Sequence, residues 1–114
     1  MPGSPDTSLC CSSLVASPLN EADATELAGI LKALADPVRL RIVSLVASTE
    51  SGELCACDMP AMLDRSQPTI SHHLTLLAKA GLLEREQRGK WAWFRLCGDR
   101  LAELGTLLAD TDCR

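Results

Sequence analysis

The chain has 114 residues, 46% of them hydrophobic and 3% aromatic, and carries a formal net charge of −4. That length suits one compact domain or a domain plus a short tail, and the apolar content, dominated by Ala and Leu, excludes wholesale disorder and favours helix. No run of about 18 apolar residues exists to span a membrane, and Met1-Pro2-Gly3-Ser4-Pro5-Asp6 lacks the basic start and apolar run of a signal peptide, so a cytoplasmic protein is expected.

Residues 1–20 are rich in Ser and Pro without periodicity and read as a flexible arm, followed by a folded domain over residues 21–112. From Glu21 to Ala35 a helical stripe of Leu27, Ile30, Leu31 and Leu34 is predicted. Asp36-Pro37 ends it and opens a second helix to about Ala47, with Asp36 as cap and Pro37 in the first turn. The third helix carries Leu54-Cys55-Ala56-Cys57-Asp58-Met59-Pro60 at its head, with Cys55 at or near the N-cap, since proline is tolerated only in a first turn. Ser66 caps a fourth helix, Pro68 lies in its first turn, and Gly81 follows its end. Leu83–Gln87 and Lys90–Leu96 form a hairpin about Arg88-Gly89. A last helix from Asp99 to about Asp110 uses Leu101, Leu104, Leu107 and Leu108. The expected fold is mainly α with a small β-hairpin: a winged helix-turn-helix of five helices plus a two-stranded wing.

Charge is unevenly spread. Residues 1–63 hold three basic and eight acidic side chains, residues 64–95 hold six and three, and residues 96–114 hold two and four. The positive segment coincides with the fourth helix and the hairpin, and a local field, rather than net charge, steers a polyanion. On that helix Ile70, Leu74 and Leu77 fall within about 60° of one another and form the core stripe. Pro68, His72 and Thr75 lie opposite, flanked by Gln67, Thr69 and Ser71. With Ser66, these short polar side chains suit base edges or phosphates of double-stranded DNA, while Arg88 and Lys90 at the hairpin tip suit phosphates or a minor groove. The plainer reading, a wet helix face, weakens once hairpin and charge are added. His72 and His73 point about 100° apart and do not easily chelate one ion; His73 flanks the core stripe and reads as structural.

Leu34-Ala35-Asp36-Pro37-Val38-Arg39-Leu40-Arg41-Ile42, Ser66-Gln67-Pro68-Thr69-Ile70-Ser71-His72-His73-Leu74 and Ala80-Gly81-Leu82 resemble the ArsR/SmtB family of metal- and metalloid-responsive repressors, over about residues 21–110. The resemblance implies a homodimer joined through the first and last helices, two recognition helices in successive major grooves of operator DNA, and release of that operator on inducer binding. The polar positions of the fourth helix and the hairpin basics carry over directly.

Leu54-Cys55-Ala56-Cys57-Asp58 is similar to the Cys-x-Cys-Asp motif that arsenic and cadmium or lead sensors of that family place at this helix start. Residues i and i+2 within a helix point about 200° apart, so convergence of the two sulfurs requires Cys55 at a non-helical cap. A helix N-terminus lowers a thiol's pKa and favours the thiolate. Trivalent arsenic wants three sulfurs, and cadmium or lead three or four. Many arsenic sensors of the family have a third cysteine three residues after the second, where this chain has Pro60. The missing ligands are therefore assigned to Cys10 and Cys11 on the arm, giving a site of Cys10, Cys11, Cys55 and Cys57 with arsenic(III) as inducer, antimonite as a related one, and Cd(II) or Pb(II) as the alternative. Soft thiolates disfavour magnesium, calcium and manganese. No histidine follows His73, so the family's zinc site on the last helix is not expected. Cys97 reads as structural and Cys113 has no inferable role. A thiol redox sensor is a further regulator reading, and a metal-sequestering protein a reading of another class. An enzyme is the least favoured, because the only histidines lie on the DNA-reading helix.

Overall fold

The computed structural model describes residues 18–109. Helix α1 (Glu21–Leu34) leads into α2 (Pro37–Ser48), strand β1 (Glu53–Cys55), a 3-10 turn (Ala56–Asp58), α3 (Met59–Leu63), α4 (Gln67–Lys79), β2 (Leu83–Arg88), β3 (Trp91–Leu96) and α5 (Gly98–Ala109). The chain divides into two compact units, residues 30–97 and the segments on either side of them.

In the unit of residues 30–97 local chemistry sets the helix ends. The Asp36 carboxylate accepts from the backbone N–H groups of Val38 (2.9 Å) and Arg39 (3.0 Å), and Pro37 needs no donor in the first turn. The Arg39 backbone bond is the main reason the Asp36 carboxyl sits below its ordinary range. At the other end of the motif Gly81, at φ +79°, stops α4 in a left-handed conformation that a side chain would strain. Between these punctuation points Ile42 and Val46 of α2, Met59 and Leu63 of α3, Ile70 and Leu77 of α4, and Leu82 are essentially inaccessible. Leu74 and Phe94 close the core at 3% and 5% exposure, so the stripe expected on the fourth helix is its buried face.

Among the described residues the sheet has three strands rather than two, ordered β1-β3-β2 and antiparallel throughout. Residues 54 and 55, expected at the head of a helix, instead extend along β3, with Leu54 opposite Phe94 and Cys55 opposite Trp93. The hairpin turn also moves: Arg88 is the last residue of β2, opposite Trp91, and Gly89-Lys90 makes the turn, with Gly89 at φ +62°. A two-residue turn with its first residue in the left-handed region matches the twist of the flanking strands, which favours this register.

In the other unit, residues 18–29 and 98–109 are described. The Asn20 side chain accepts from the Asp23 backbone N–H (2.8 Å) and caps α1, Leu27 and Leu104 are buried, and Arg100 pairs with Glu26. Leu108 remains 45% exposed.

Candidate nucleic-acid interface and thiol pair

Helix α4 is held at its start by Ser66, whose Oγ accepts from the Thr69 backbone N–H (3.4 Å) and donates to Thr69 Oγ1 (2.9 Å). Those two side chains are thus engaged with each other at the helix end. Gln67, Ser71, His72 and Thr75 are exposed, and the Thr75 hydroxyl donates back to the Ser71 carbonyl (2.9 Å). The exposed set splits between two directions. Gln67, Ser71 and Thr75, at a spacing of four, face the wing, whereas His72 stands beside His73, their ring centroids 5.9 Å apart.

The wing segregates its cations. Arg88 donates to Glu53 (2.6 Å) and Glu86 (2.8 Å), and its guanidinium lies 4.8 Å from the Trp93 ring centre. The pairing holds the Glu86 carboxyl below its usual range and raises Arg88. Arg95 is similarly bonded to Glu84 (2.9 Å) and Glu86 (3.4 Å). Lys90 at the turn lies over Trp91, 5.5 Å from its ring centre, and Arg85 bonds to the Gln87 side chain. Among the described residues no carboxylate lies within 4.0 Å of Lys79, Arg85 or Lys90, whereas Arg88 and Arg95 are both neutralised by neighbours.

Between α4 and the wing lies a cavity of about 840 Å³. Four of the DNA-contact candidates line it: Gln67, Ser71, Thr75 and Lys90. Ser66, Thr69, His72 and Arg88 do not. Lys79 and Arg85, which the sequence reading did not single out, line it as well. The parity of β2 carried the signal for Arg85: it is opposite Phe94, so it belongs to the strand face turned toward α4, while Glu84, Glu86 and Arg88 take the other.

Cys57 forms part of the same cavity wall. Cys55, 2% exposed, ends β1 in an extended conformation (φ −75°, ψ 137°) and caps the 3-10 turn, its Sγ accepting from the Cys57 backbone N–H at 3.2 Å. The extended residue lets the pair converge despite its i, i+2 spacing: their Cα atoms are 5.2 Å apart and the two sulfurs are joined as a disulfide. Expected as a pair of thiols, they stand here in the oxidised form. Asp58 follows without a side-chain bond to the α3 backbone. Among the described residues no third His, Cys, Asp or Glu completes a metal site with them. Cys10, Cys11 and Cys113 lie outside the described residues. Cys97 is half-buried just beyond β3, its backbone N–H donating to the Leu82 carbonyl (2.9 Å), and takes no part in the pair.

Residues 36–85 match the model of the bacterial regulatory proteins of the arsR family. A helix-turn-helix-type transcriptional regulator of Methanocaldococcus jannaschii is 43% identical over 77 residues, covering 68% of this chain and 84% of that one. The chain belongs to the arsR family. An arsenical resistance operon repressor of Escherichia coli is 52% identical to this ArsR-family chain over 67 residues, 59% of it, but the match spans only 56% of the repressor's length. The solution structure of a homodimeric winged helix-turn-helix DNA-binding domain from Mycobacterium bovis superposes with a TM-score of 0.65 at 30% identity, covering 77% of this chain and 79% of that one. As an ArsR-family protein the chain is a transcriptional regulator by kinship, with five α-helices and a three-stranded antiparallel sheet among the described residues.

Proposed function

We propose that this protein is a repressor that holds double-stranded operator DNA through α4 and the wing, and releases it when trivalent arsenic binds its cysteine thiolates. The observation that carries the reading is a juxtaposition: Cys57, with Cys55 beside it, lies in the wall of the cavity that Gln67, Ser71, Thr75 and Lys90 also line. Gln67 and Ser71 near the start of α4 supply side chains of base-reading type; Thr75, Lys79, Arg85 and Lys90 extend the set along the groove toward the phosphates. Ser66, Thr69 and His72 remain candidates at the helix start and outer face, and Arg88 at the wing. Arsenite needs reduced sulfurs. Each thiol gives its proton to an arsenic hydroxyl that leaves as water, one As–S bond replaces one As–O bond, and arsenic stays trivalent. Cys55 and Cys57 supply two such bonds, and Cys10 or Cys11 of the arm, residues 1–20, supplies the third; antimonite fits the same set.

Binding at this position couples to DNA by a short route. The thiol pair heads the turn leading into α3, and α3 packs on α4. Drawing the arm onto Cys57 strains that turn and crowds the groove, and a dimer matching half-sites about 34–36 Å apart tolerates little displacement. A coupling of about 1–3 kcal/mol suffices. The dimer forms through α1 and α5 of the domain over residues 21–112, consistent with Leu31 and Leu108, left 42% and 45% exposed. No described helix is long and apolar enough to cross a membrane, and a reducing cytoplasm would keep the thiols available.

The test is fluorescence anisotropy of the reduced protein on DNA from its own promoter, titrated with arsenite and separately with Cd(II) and Pb(II). Release by near-stoichiometric arsenite supports the proposal; release only by cadmium or lead moves it to a divalent-metal sensor with a larger thiolate set. The disulfide between Cys55 and Cys57 favours one second reading, a thiol redox sensor. In that case oxidised protein releases DNA, reductant restores binding, and arsenite has no effect on the reduced form.

A further inference from the structure

The cavity between α4 and the wing has a composition that DNA contact alone does not use. Its floor is apolar, formed by Leu74, Ala78, Ala92 and Phe94. Its rim is cationic, with Lys79, Arg85 and Lys90, and among the described residues no Asp or Glu lines it. The opposite face of the same hairpin neutralises its two arginines with Glu53, Glu84 and Glu86, so the excess of positive charge is confined to the groove side. At the mouth Trp91 stands 50% exposed with the Lys90 ammonium near its ring, an aromatic surface and a cation side by side. A volume of about 840 Å³ falls within the range of about 300–1,000 Å³ usual for small-molecule sites. A duplex laid across the groove can bring phosphates to the rim, but its bulk cannot descend to the floor.

We propose that this cavity binds a small aromatic carboxylate or sulfonate, rings on the apolar floor and acid group at the Lys79–Arg85 rim, and that its occupancy shuts duplex DNA out of the interface. The rings displace water from Leu74, Ala92 and Phe94 and stack near Trp91, and the acid group gains charge-assisted bonds from donors that no carboxylate among the described residues occupies. The occupant places its negative charge where a phosphate would otherwise sit. Such a ligand acts without forming a bond to sulfur, so it is a second input to the protein, separate from the thiol pair. The exclusion of DNA rests on the DNA-binding reading above; the anion site does not.

The experiment uses the full, reduced chain and anilinonaphthalene sulfonate as probe. The expected result is saturable fluorescence enhancement at one probe per chain, weakened at least about tenfold by Lys79→Gln with Arg85→Gln, which removes two charge-assisted contacts. Ala78→Trp, which fills the floor, should weaken it as much, with a thermal melt showing that the variant folds. The uncharged phenylnaphthylamine should bind at least about tenfold more weakly than the sulfonate. Equal affinity for the two probes, an unchanged affinity in the double variant, or uptake that never saturates would overturn the site. Labelled promoter duplex is titrated separately without probe. Where it binds, it must displace the sulfonate competitively, and failure to do so overturns the exclusion. Where the duplex does not bind at all, the function proposed above fails, and the probe titrations alone decide the anion site.

Discussion

The guanidinium of Arg39 on α2 reaches His73 on α4, with Nη1 3.0 Å from the imidazole Nδ1, while Arg39 Nε donates to the Ala33 carbonyl at 2.6 Å. A guanidinium only donates, so Nδ1 accepts and the imidazole is neutral with its proton on Nε2. Burial lowers the His73 pKa below 6.5, with Arg39, His72 and Arg65 acting in the same direction and Asp36 opposing them. A single side chain thereby ties α4 to the start of α2.

The sign of the pH effect follows. Between the folded pKa and 6.5 the unfolded chain binds more protons at this position than the folded one. The stabilisation is complete above 6.5 and is lost as pH falls toward the folded value. Urea midpoints should therefore drop between about pH 7.5 and about pH 5.5. His73→Gln, which keeps an acceptor for Arg39 without titrating, should show a smaller drop. An identical drop in the variant would remove His73 from the explanation.

Cys57 is exposed and Cys55 is buried, so their serine variants ask different questions. Cys57→Ser should fold as the parent does and leave DNA affinity within about threefold, because a surface change of this kind costs about 0.5 kcal/mol or less. Cys55→Ser keeps an acceptor for the Cys57 N–H and preserves the turn. Each should abolish the arsenite response, removing a shift of about 5- to 150-fold in operator affinity. The pair Cys10→Ser and Cys11→Ser tests the arm. An arsenite response that survives Cys55→Ser in a folded protein would sink the thiolate scheme.

Salt dependence separates the basic residues of the wing. A phosphate contact contributes about 0.9 to the slope of log affinity against log salt, and removing it lowers the slope by that amount. Arg85→Gln and Lys90→Gln should each do so, since neither cation is neutralised by a carboxylate among the described residues. Arg88→Gln should change the slope less, because its charge is already met by Glu53 and Glu86. Gln67→Ala should act on sequence preference, costing about 1–3 kcal/mol on the cognate duplex and little on a scrambled one. Competition anisotropy over a salt series reads all four.

These distinctions mark how far local sequence carries. Asp36-Pro37, Ser66 with Pro68, and Gly81 are punctuation whose chemistry acts within three residues, and the helices they bound agree with the sequence reading. The stripe of Ile70, Leu74 and Leu77 was equally legible, because burial on one side of a helix leaves a periodic trace. Strand β1 left none. It is three residues long, and its partner on β3 lies about forty positions away, so Leu54 and Cys55 are extended through a pairing that no window around them contains. The opposed environments of Arg85 and Arg88 were hidden for a similar reason. Both are basic residues of one hairpin, and only the register, with Arg85 opposite Phe94 and Arg88 opposite Trp91, assigns them to different faces. That Cys57 and Thr75, eighteen positions apart, line one cavity is likewise a product of tertiary packing.

The proposed dimer makes a final demand on α1 and α5. Each helix buries one leucine and exposes another: Leu27 is 6% exposed against 42% for Leu31, and Leu104 is 9% exposed against 45% for Leu108. Single exposed leucines are ordinary on a protein surface, so the exposure acquires meaning only if a second copy covers it. Burying such a side chain from full exposure gains about 1.5–3 kcal/mol, so covering the two-fifths still exposed gains roughly 0.6–1.3 kcal/mol, and each leucine enters a twofold interface twice. Leu31→Asp and Leu108→Asp should therefore each shift the protein toward monomer in light scattering at micromolar concentration. Operator affinity should fall with the dimer, since a lone recognition helix reads one half-site. The thermal midpoint of the monomeric variant, measured at the same concentration, should fall and lose its dependence on protein concentration. A variant that stays dimeric with full operator affinity would place the subunit contact on other surfaces of the domain.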